Sequence, residues 1–143
     1  MELHMNGLVL AEKYYTQYGL RARELKASGK KVLGYLSALG PVEIMTAVGT
    51  VPIMLKGNVA ESITNADAYM ETMVCPFERN VFDAAVKGKY GFLNGMVLPH
   101  QCDSIDRTDD VRAIETELDI RIMVTEEPQN MAALGAAMFC LGA

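Results

Sequence analysis

VLGYLSALGPVEIMTAVGTVPIML, residues 32–55, is the stretch that decides the fold class. It opens and closes on two short runs, 32–36 and 51–55, that are too apolar to have a solvent face, which is typical of strands buried in a parallel sheet. Pro41 stands at the favoured first position of a helix, and Gly49 ends that helix. The stretch therefore predicts a strand–helix–strand unit with two parallel strands.

The flanking segments continue this alternation of helices and strands. Apolar residues recur at helical spacing from about Leu3 to Ala27, which predicts one amphipathic helix. The patterns after residue 55 predict a short helix from Thr64 or Asn65, helices over 76–88, 103–118 and 130–141, and strands over 95–99 and 120–124. Together they predict an α/β fold, a three-layer sandwich around a mainly parallel, Rossmann- or flavodoxin-like sheet of about four strands.

The composition is that of a soluble globular protein of one-domain size. Of the 143 residues, 50% are hydrophobic and 22% are charged, so the chain can bury a core. The net charge of −5 argues against nucleic-acid binding, which requires clustered Lys and Arg. Because the start lacks a secretory pattern and no apolar run could span a bilayer, we expect a cytoplasmic protein without membrane contact.

Two of the three cysteines occupy similar local settings. Cys75 directly precedes Pro76, and Cys102 directly precedes Asp103, so each stands at the start of a predicted helix. Unpaired backbone N–H groups there favour a thiolate, and loops beyond the strand ends of an α/β sheet converge on a ligand crevice. Two convergent thiolates would form half of an iron–sulfur or zinc site. The alternative, which the wide spacing alone favours, is that both are small buried hydrophobic residues.

Residues 32–55 are followed by ADAYMETMVCPFERNVFDAAVKGKYGFLNGMVLPHQCDSIDR at 66–107. This order resembles the subunits of 2-hydroxyacyl-CoA dehydratases and benzoyl-CoA reductases, over about residues 8–112. The pairing of CPF.RN with P..CDSI.R across a Gly-Lys-Tyr segment is a specific signal. The resemblance implies that Cys75 and Cys102 are two of the three cysteines that bind a [4Fe-4S] cluster, with the fourth iron position open to substrate or a small ligand.

The resemblance also implies a reaction and partners. In this family a separate ATP-driven activator delivers one low-potential electron, the thioester carbonyl of a 2-hydroxyacyl-CoA becomes a ketyl radical anion, and the hydroxyl group is expelled to give an enoyl-CoA. Benzoyl-CoA reductases use a related electron injection into the ring, and the sequence does not separate the two. The implied partners are an acyl-CoA substrate, a second dehydratase or reductase subunit and the activator ATPase.

Four further residues are candidates for the same site. Glu43 corresponds to an acidic position near the family's active site and could transfer a proton or position the substrate, although Glu in a first helical turn is favourable for the helix dipole alone. Ser37 could donate a hydrogen bond in the same loop or be a plain turn residue. His100 could donate to a cluster sulfur or a CoA group, or be a solvated loop residue. Arg79 could face a CoA phosphate or a neighbouring subunit, or be a solvated helical residue.

The character of the sequence changes near Arg112. Residues 1–112 are expected to form an α/β domain like the N-terminal part of a dehydratase subunit. Residues 113–143 resemble the C-terminal end of the activator ATPase and would complete the same domain with a strand and a helix, in which Cys140 is expected to be a core residue. The third cluster cysteine of the family is missing, so we expect a truncated or fused subunit that is not active as an isolated chain. The alternative is a catalytically inactive interaction module that keeps the fold and could form a homo-oligomer.

Overall fold

The strands of the protein form one sheet in which every pair is parallel. The structure, a computed structural model, describes residues 2–99, 115–116 and 121–125. The strands are β1 (Val32–Tyr35), β2 (Val51–Met54), β3 (Gly95–Pro99) and β4 (Ile122–Thr125), in the order β2-β1-β3-β4. The predicted α/β class with a Rossmann- or flavodoxin-like parallel sheet is confirmed.

Helices precede the sheet and connect its strands. Within the described ranges they are α1 (Glu2–Thr16), α2 (Leu20–Ala27), α3 (Val42–Ala47), α4 (Ala66–Tyr69) and α5 (Pro76–Val86). Residues 115–116 are helical, in agreement with part of the helix predicted over 103–118. The rest of that helix and the closing helix over 130–141 lie outside the described residues. None of the helices in the described part of the chain is both long enough and apolar enough to cross a membrane.

The prediction of one helix from Leu3 to Ala27 is wrong, because the chain turns at Gly19 between α1 and α2. Gly19 has a φ of 76°, in the left-handed region that glycine adopts without steric cost. A Cβ at this position would also lie 3.1 Å from the ring of Phe92. The apolar periodicity runs through the break, so it gave no sign of the turn.

The apolar residues of α1 do not pack into the described core. Leu8 is 73% exposed and Val9 is 67% exposed. The helix is tied to α2 by a hydrogen bond from the Tyr14 hydroxyl to a carboxylate oxygen of Glu24, at 2.8 Å. The amphipathic pattern therefore predicted the helix but not a buried face.

The core lies where α5 and the segment after it meet the sheet. The largest fully buried side chains are Tyr90, Phe82, Leu55, Leu98 and Val32. Gly34 of the central strand makes room for this packing, because a Cβ there would lie 2.9 Å from Leu93 Cδ1 and 3.0 Å from Leu55 Cδ2. Helix α5 thus supplies much of the core and also begins beside Cys75.

Replacing Phe82 by Ala tests this account of the core. Phe82 is 1% exposed, so its truncation leaves a cavity and should lower the free energy of unfolding by about 3–5 kcal/mol. Phe77, on the same helix, is 40% exposed, and Phe77→Ala should cost about 1 kcal/mol or less. Urea denaturation followed by circular dichroism measures both, and equal losses would contradict the packing described here.

Candidate functional site

The strand order creates a crevice at the carboxyl ends of β1 and β3. The chain leaves β1 toward β2 on one side, and it leaves β3 toward β4 on the other side. In open α/β sheets, ligands bind at such a reversal of direction. Tyr35 pairs with Val97, so the loops that leave β1 and β3 start side by side. Ser37 lies in the first loop, whereas His100 and Cys102 follow β3 and lie outside the described residues.

Ser37 forms a tight turn at the exit of β1. Among the described residues, Ser37 is the non-glycine residue with a positive φ, at 69°. Its Oγ accepts a hydrogen bond from the N–H of Leu39 at 3.3 Å, and its carbonyl accepts one from Gly40 at 3.4 Å. This geometry fits the turn role of the residue. Residues with a strained backbone of this kind concentrate at functional sites, so the turn is a second indication of a functional site beside the exit of β1.

Glu43 lies on the same connection, in the first turn of α3. Its side chain is exposed, and Pro41 precedes the helix without a side-chain cap. A carboxylate at this position is favourable for the helix dipole, as the sequence indicated. A role of Glu43 in proton transfer or substrate positioning stays a prediction.

Cys75 is the N-cap residue of α5 and carries a free, exposed thiol. Its carbonyl accepts the N–H of Arg79 at 3.1 Å, while its side chain makes no capping hydrogen bond. The alternative of a small buried hydrophobic residue is therefore wrong for Cys75. Within residues 2–99, 115–116 and 121–125, no group of three or more His, Cys, Asp or Glu side chains could hold a metal ion. The meeting of Cys75 with Cys102 stays a prediction.

Helix α5, which begins directly after Cys75, is fixed to α4 by two buried charged side chains, Asp83 and Arg79. The sequence did not reveal their burial. The carboxylate of Asp83 accepts hydrogen bonds from the N–H groups of Asn65, at 2.9 Å, and Ala66, at 3.4 Å. Arg79 forms an ion pair with Asp67 on α4 and is only 9% exposed, so the expectation of a solvated helical Arg is wrong. These contacts with α4 and its N-terminus join residues that are 12 or more positions apart along the chain, so local sequence patterns did not reveal them.

The charge of Asp83 is stabilised by its partners. Burial alone would raise the pKa of this carboxyl, but the hydrogen bond from Lys87 and those from the backbone of Asn65 and Ala66 outweigh burial. The pKa of Asp83 therefore lies below its usual value. The ion pair with Lys87 spans 2.5 Å and follows the i,i+4 spacing of a helix.

The fold is that of an α/β protein with a parallel sheet and a topological switch point between β1 and β3, the place where ligands bind in such sheets. A sequence model of one family, described as 2-hydroxyglutaryl-CoA dehydratase, D-component, matches residues 38–138. This match covers well over half of the chain, and the chain belongs to this family. It runs from the exit of β1 past Arg112. The likeness of residues 113–143 to an activator ATPase stays a prediction.

The similar proteins include subunits of two related enzyme types. The (R)-phenyllactyl-CoA dehydratase beta subunit of Clostridium sporogenes is 26% identical over 83 residues, which is 58% of this chain and 22% of that protein. A benzoyl-CoA reductase subunit of Thauera aromatica is 28% identical over 87 residues, 59% of this chain and 22% of that protein. The (R)-2-hydroxyglutaryl-CoA dehydratase beta subunit of Acidaminococcus fermentans is 28% identical over 80 residues, which is 56% of this chain and 21% of that protein. The matched part of the chain thus spans about a fifth of the length of these relatives.

Asp83→Asn tests the buried charge that anchors α5. Loss of the charged acceptor should lower the free energy of unfolding by about 1–3 kcal/mol at pH 7. Because the folded-state pKa is lowered, the contribution of Asp83 is fully present above the unfolded pKa and is lost as the pH falls through the folded pKa. The difference in stability between the two proteins should therefore begin to shrink below about pH 4, near the unfolded pKa, and disappear only once the pH has fallen below the lowered folded-state pKa.

Urea denaturation between pH 7 and pH 2.5 measures this convergence. Glu12→Gln, at an exposed position of α1, serves as the control and should change neither the stability nor its pH dependence. A constant difference between wild type and Asp83→Asn across the whole range would show that the charge of Asp83 is not involved.

Proposed function

We propose that the chain is part of an iron–sulfur subunit of a 2-hydroxyacyl-CoA dehydratase, an enzyme that removes water from a 2-hydroxyacyl-CoA to give an enoyl-CoA. The observation that carries this proposal is the family match over 38–138, because it includes Glu43 and both cysteines of the candidate site. The described geometry supports it, since Cys75 has an accessible thiol at a helix N-terminus.

Cys75 and Cys102 would hold a [4Fe-4S] cluster, with a third cysteine from outside this chain. Thiolates are the ligands that iron–sulfur clusters require, and the thiol of Cys75 has no capping bond to give up. Helix α5 leads from Cys75 into β3, and Cys102 follows that strand closely. When bound, the cluster supplies a low-potential electron and an open iron position that can bind a ligand oxygen.

The other candidate residues would act around the cluster. Ser37 and Glu43 lie on the connection that leaves β1, so they can approach a substrate bound at the switch point. Glu43 would transfer a proton or orient the thioester, and Ser37 would donate a hydrogen bond. His100, between β3 and Cys102, would donate to a cluster sulfur or to the CoA part of the substrate.

The proposal includes partners. Relatives of this chain are named as beta subunits of dehydratases and as a subunit of a benzoyl-CoA reductase, so each belongs to an enzyme with more than one subunit. We therefore propose a second subunit, and the family resemblance adds an activator ATPase as the electron donor. Met73 is 90% exposed and Phe77 is 40% exposed on either side of Cys75. A cluster at Cys75 would require these apolar side chains and the thiol to be covered.

A benzoyl-CoA reductase subunit is the second candidate. The reductase subunit of Thauera aromatica matches 87 residues of this chain, and the two dehydratase subunits match 83 and 80 residues. The identities are similar, at 28% for the reductase subunit and 26% and 28% for the dehydratase subunits. Both enzyme types act on a CoA thioester, so the cluster site would be the same and the acyl group would differ.

Cys75→Ser tests the cluster ligand. The full chain is reconstituted anaerobically with iron and sulfide, and protein-bound iron is quantified beside EPR spectra of the reduced protein. Wild type should bind iron, and Cys75→Ser should lose most of it, because a serine hydroxyl is a poor replacement for a thiolate ligand.

Cys140→Ser is the matched control and should retain iron and the EPR signal, because Cys140 is expected to be a core residue. Circular dichroism verifies that each variant is folded. Iron-free wild type after reconstitution would favour an inactive interaction module, and equal iron in wild type and Cys75→Ser would exclude Cys75 as a ligand.

A further inference from the structure

We infer that a second site, at the carboxyl end of β2, binds the phosphate groups of a small molecule such as a diphosphate. The site is a cavity of about 390 Å³. It lies away from the crevice of the candidate cluster, on the other side of the central strand β1. Its lining consists of Tyr18, Arg23, Lys56, Gly57, Asn58 and Lys89.

The charge of this cavity is opposite to that of the whole protein. The chain has a net charge of −5, yet three cationic side chains from separate segments line the same cavity. Like charges that share a cavity repel one another, and a bound anion relieves the repulsion. This concentration of positive charge is therefore a specific feature of the cavity.

The cations are only partly neutralised by the protein. For Lys56, the described part of the chain provides no ion pair within 4 Å. Arg23 is held by its contact with the Phe92 ring, 4.7 Å from the ring centroid, and by a 3.2 Å hydrogen bond to the carbonyl of Tyr18. Lys89 pairs with Glu61, but that carboxylate also contacts Lys87 at 3.6 Å. Among the described residues, neither Arg23 nor Lys56 thus has an acidic partner that a ligand would have to displace.

The segment after β2, which lines the cavity, is held in place by two tyrosines, the partly buried Tyr18 and the buried Tyr90. The Tyr18 hydroxyl donates to the carbonyl of Met54 at 2.8 Å, and the Tyr90 hydroxyl donates to that of Lys56 at 2.7 Å. Burial raises the pKa of Tyr18 to about 12 and also raises that of Tyr90, so both remain protonated donors. Gly57 is pressed against α5, because a Cβ there would collide with Asn80. The backbone of this segment is therefore fixed, so that only the side chain of Lys56 has to be ordered when a ligand binds.

Phosphate fits this site better than a carboxylate does. A diphosphate carries several negative charges that can interact with both Arg23 and Lys56, whereas a carboxylate offers a single charge. The volume is at the lower end of the range for small-molecule sites, which suits a diphosphate with part of a nucleoside. A nucleoside diphosphate and the diphosphate part of CoA share this chemistry.

Isothermal titration calorimetry on the full chain, without iron, tests the inference at low ionic strength. Pyrophosphate and ADP should bind, and adenosine should bind at least tenfold more weakly. Raising the salt concentration to about 0.5 M should weaken ADP binding strongly, because the ions screen the exposed cations. A titration with CoA distinguishes the two candidate ligands. If CoA binds more tightly than ADP, the site belongs to the proposed CoA substrate, and if ADP binds more tightly than CoA, the site belongs to a nucleotide.

Lys56→Gln should weaken pyrophosphate binding about three- to tenfold, and Lys56→Gln combined with Arg23→Gln should weaken it further. Lys30→Gln, at an exposed position that does not line the cavity, should bind like wild type. Absence of pyrophosphate and ADP binding to folded wild type would overturn the inference, as would equal affinities for adenosine and ADP. The titration does not require a cluster, so failure to bind iron and failure to bind the anion are separate results.

Discussion

The pairing of β1 with strands on both sides is the interaction on which the rest of the structure depends. β1 pairs with β2 through Val32–Tyr35 and with β3 through Leu33–Tyr35. Because side chains alternate between the faces of a strand, a slip of one residue would move every side chain of β1 to the opposite face of the sheet. Gly34 allows Leu55 and Leu93 to pack closely on this strand. The same pairing fixes the crevice between the exits of β1 and β3.

Helix α5 joins the stability of the fold to the candidate site. Its Phe82 belongs to the core, its Asp83 caps the start of α4, and its first residue follows Cys75 directly. The packing of Phe82 and the hydrogen bonds of Asp83 fix the middle of α5. The N-terminus of the helix is therefore held in a defined place. A metal ligand requires such positioning, because the geometry of a cluster tolerates little movement of the thiolates.

The sequence predicted those features that depend on neighbouring residues. The strand Gly95–Pro99 and the start of the helix at Pro76 agree with the structure, because buried strands are short apolar runs and Pro favours a first helical position. The turn at Gly19 was missed, since a single glycine does not interrupt an apolar pattern. The burial of Arg79 and Asp83 against α4 was missed because the residues they contact there are distant along the chain. The three cations near Tyr18 likewise come from separate segments. Cys75 was placed at a helix N-terminus by its local sequence, whereas its meeting with Cys102 depends on the whole sheet.

The positions of the two sites constrain what a common ligand would have to be. Residues 56–58 of the cationic cavity follow the carboxyl end of β2, and the crevice lies at the carboxyl ends of β1 and β3. Neighbouring strands are about 4.8 Å apart, so the exits of β2 and β3 are separated by roughly 10 Å. A compact anion could occupy only one of the two sites, whereas a longer molecule with phosphates at one end and a reactive group at the other could reach both. The phosphates of such a molecule would be attracted by the cations of the cavity and would orient the molecule. Its reactive end could then be uncharged and still be held at the crevice, because the phosphates supply the binding energy.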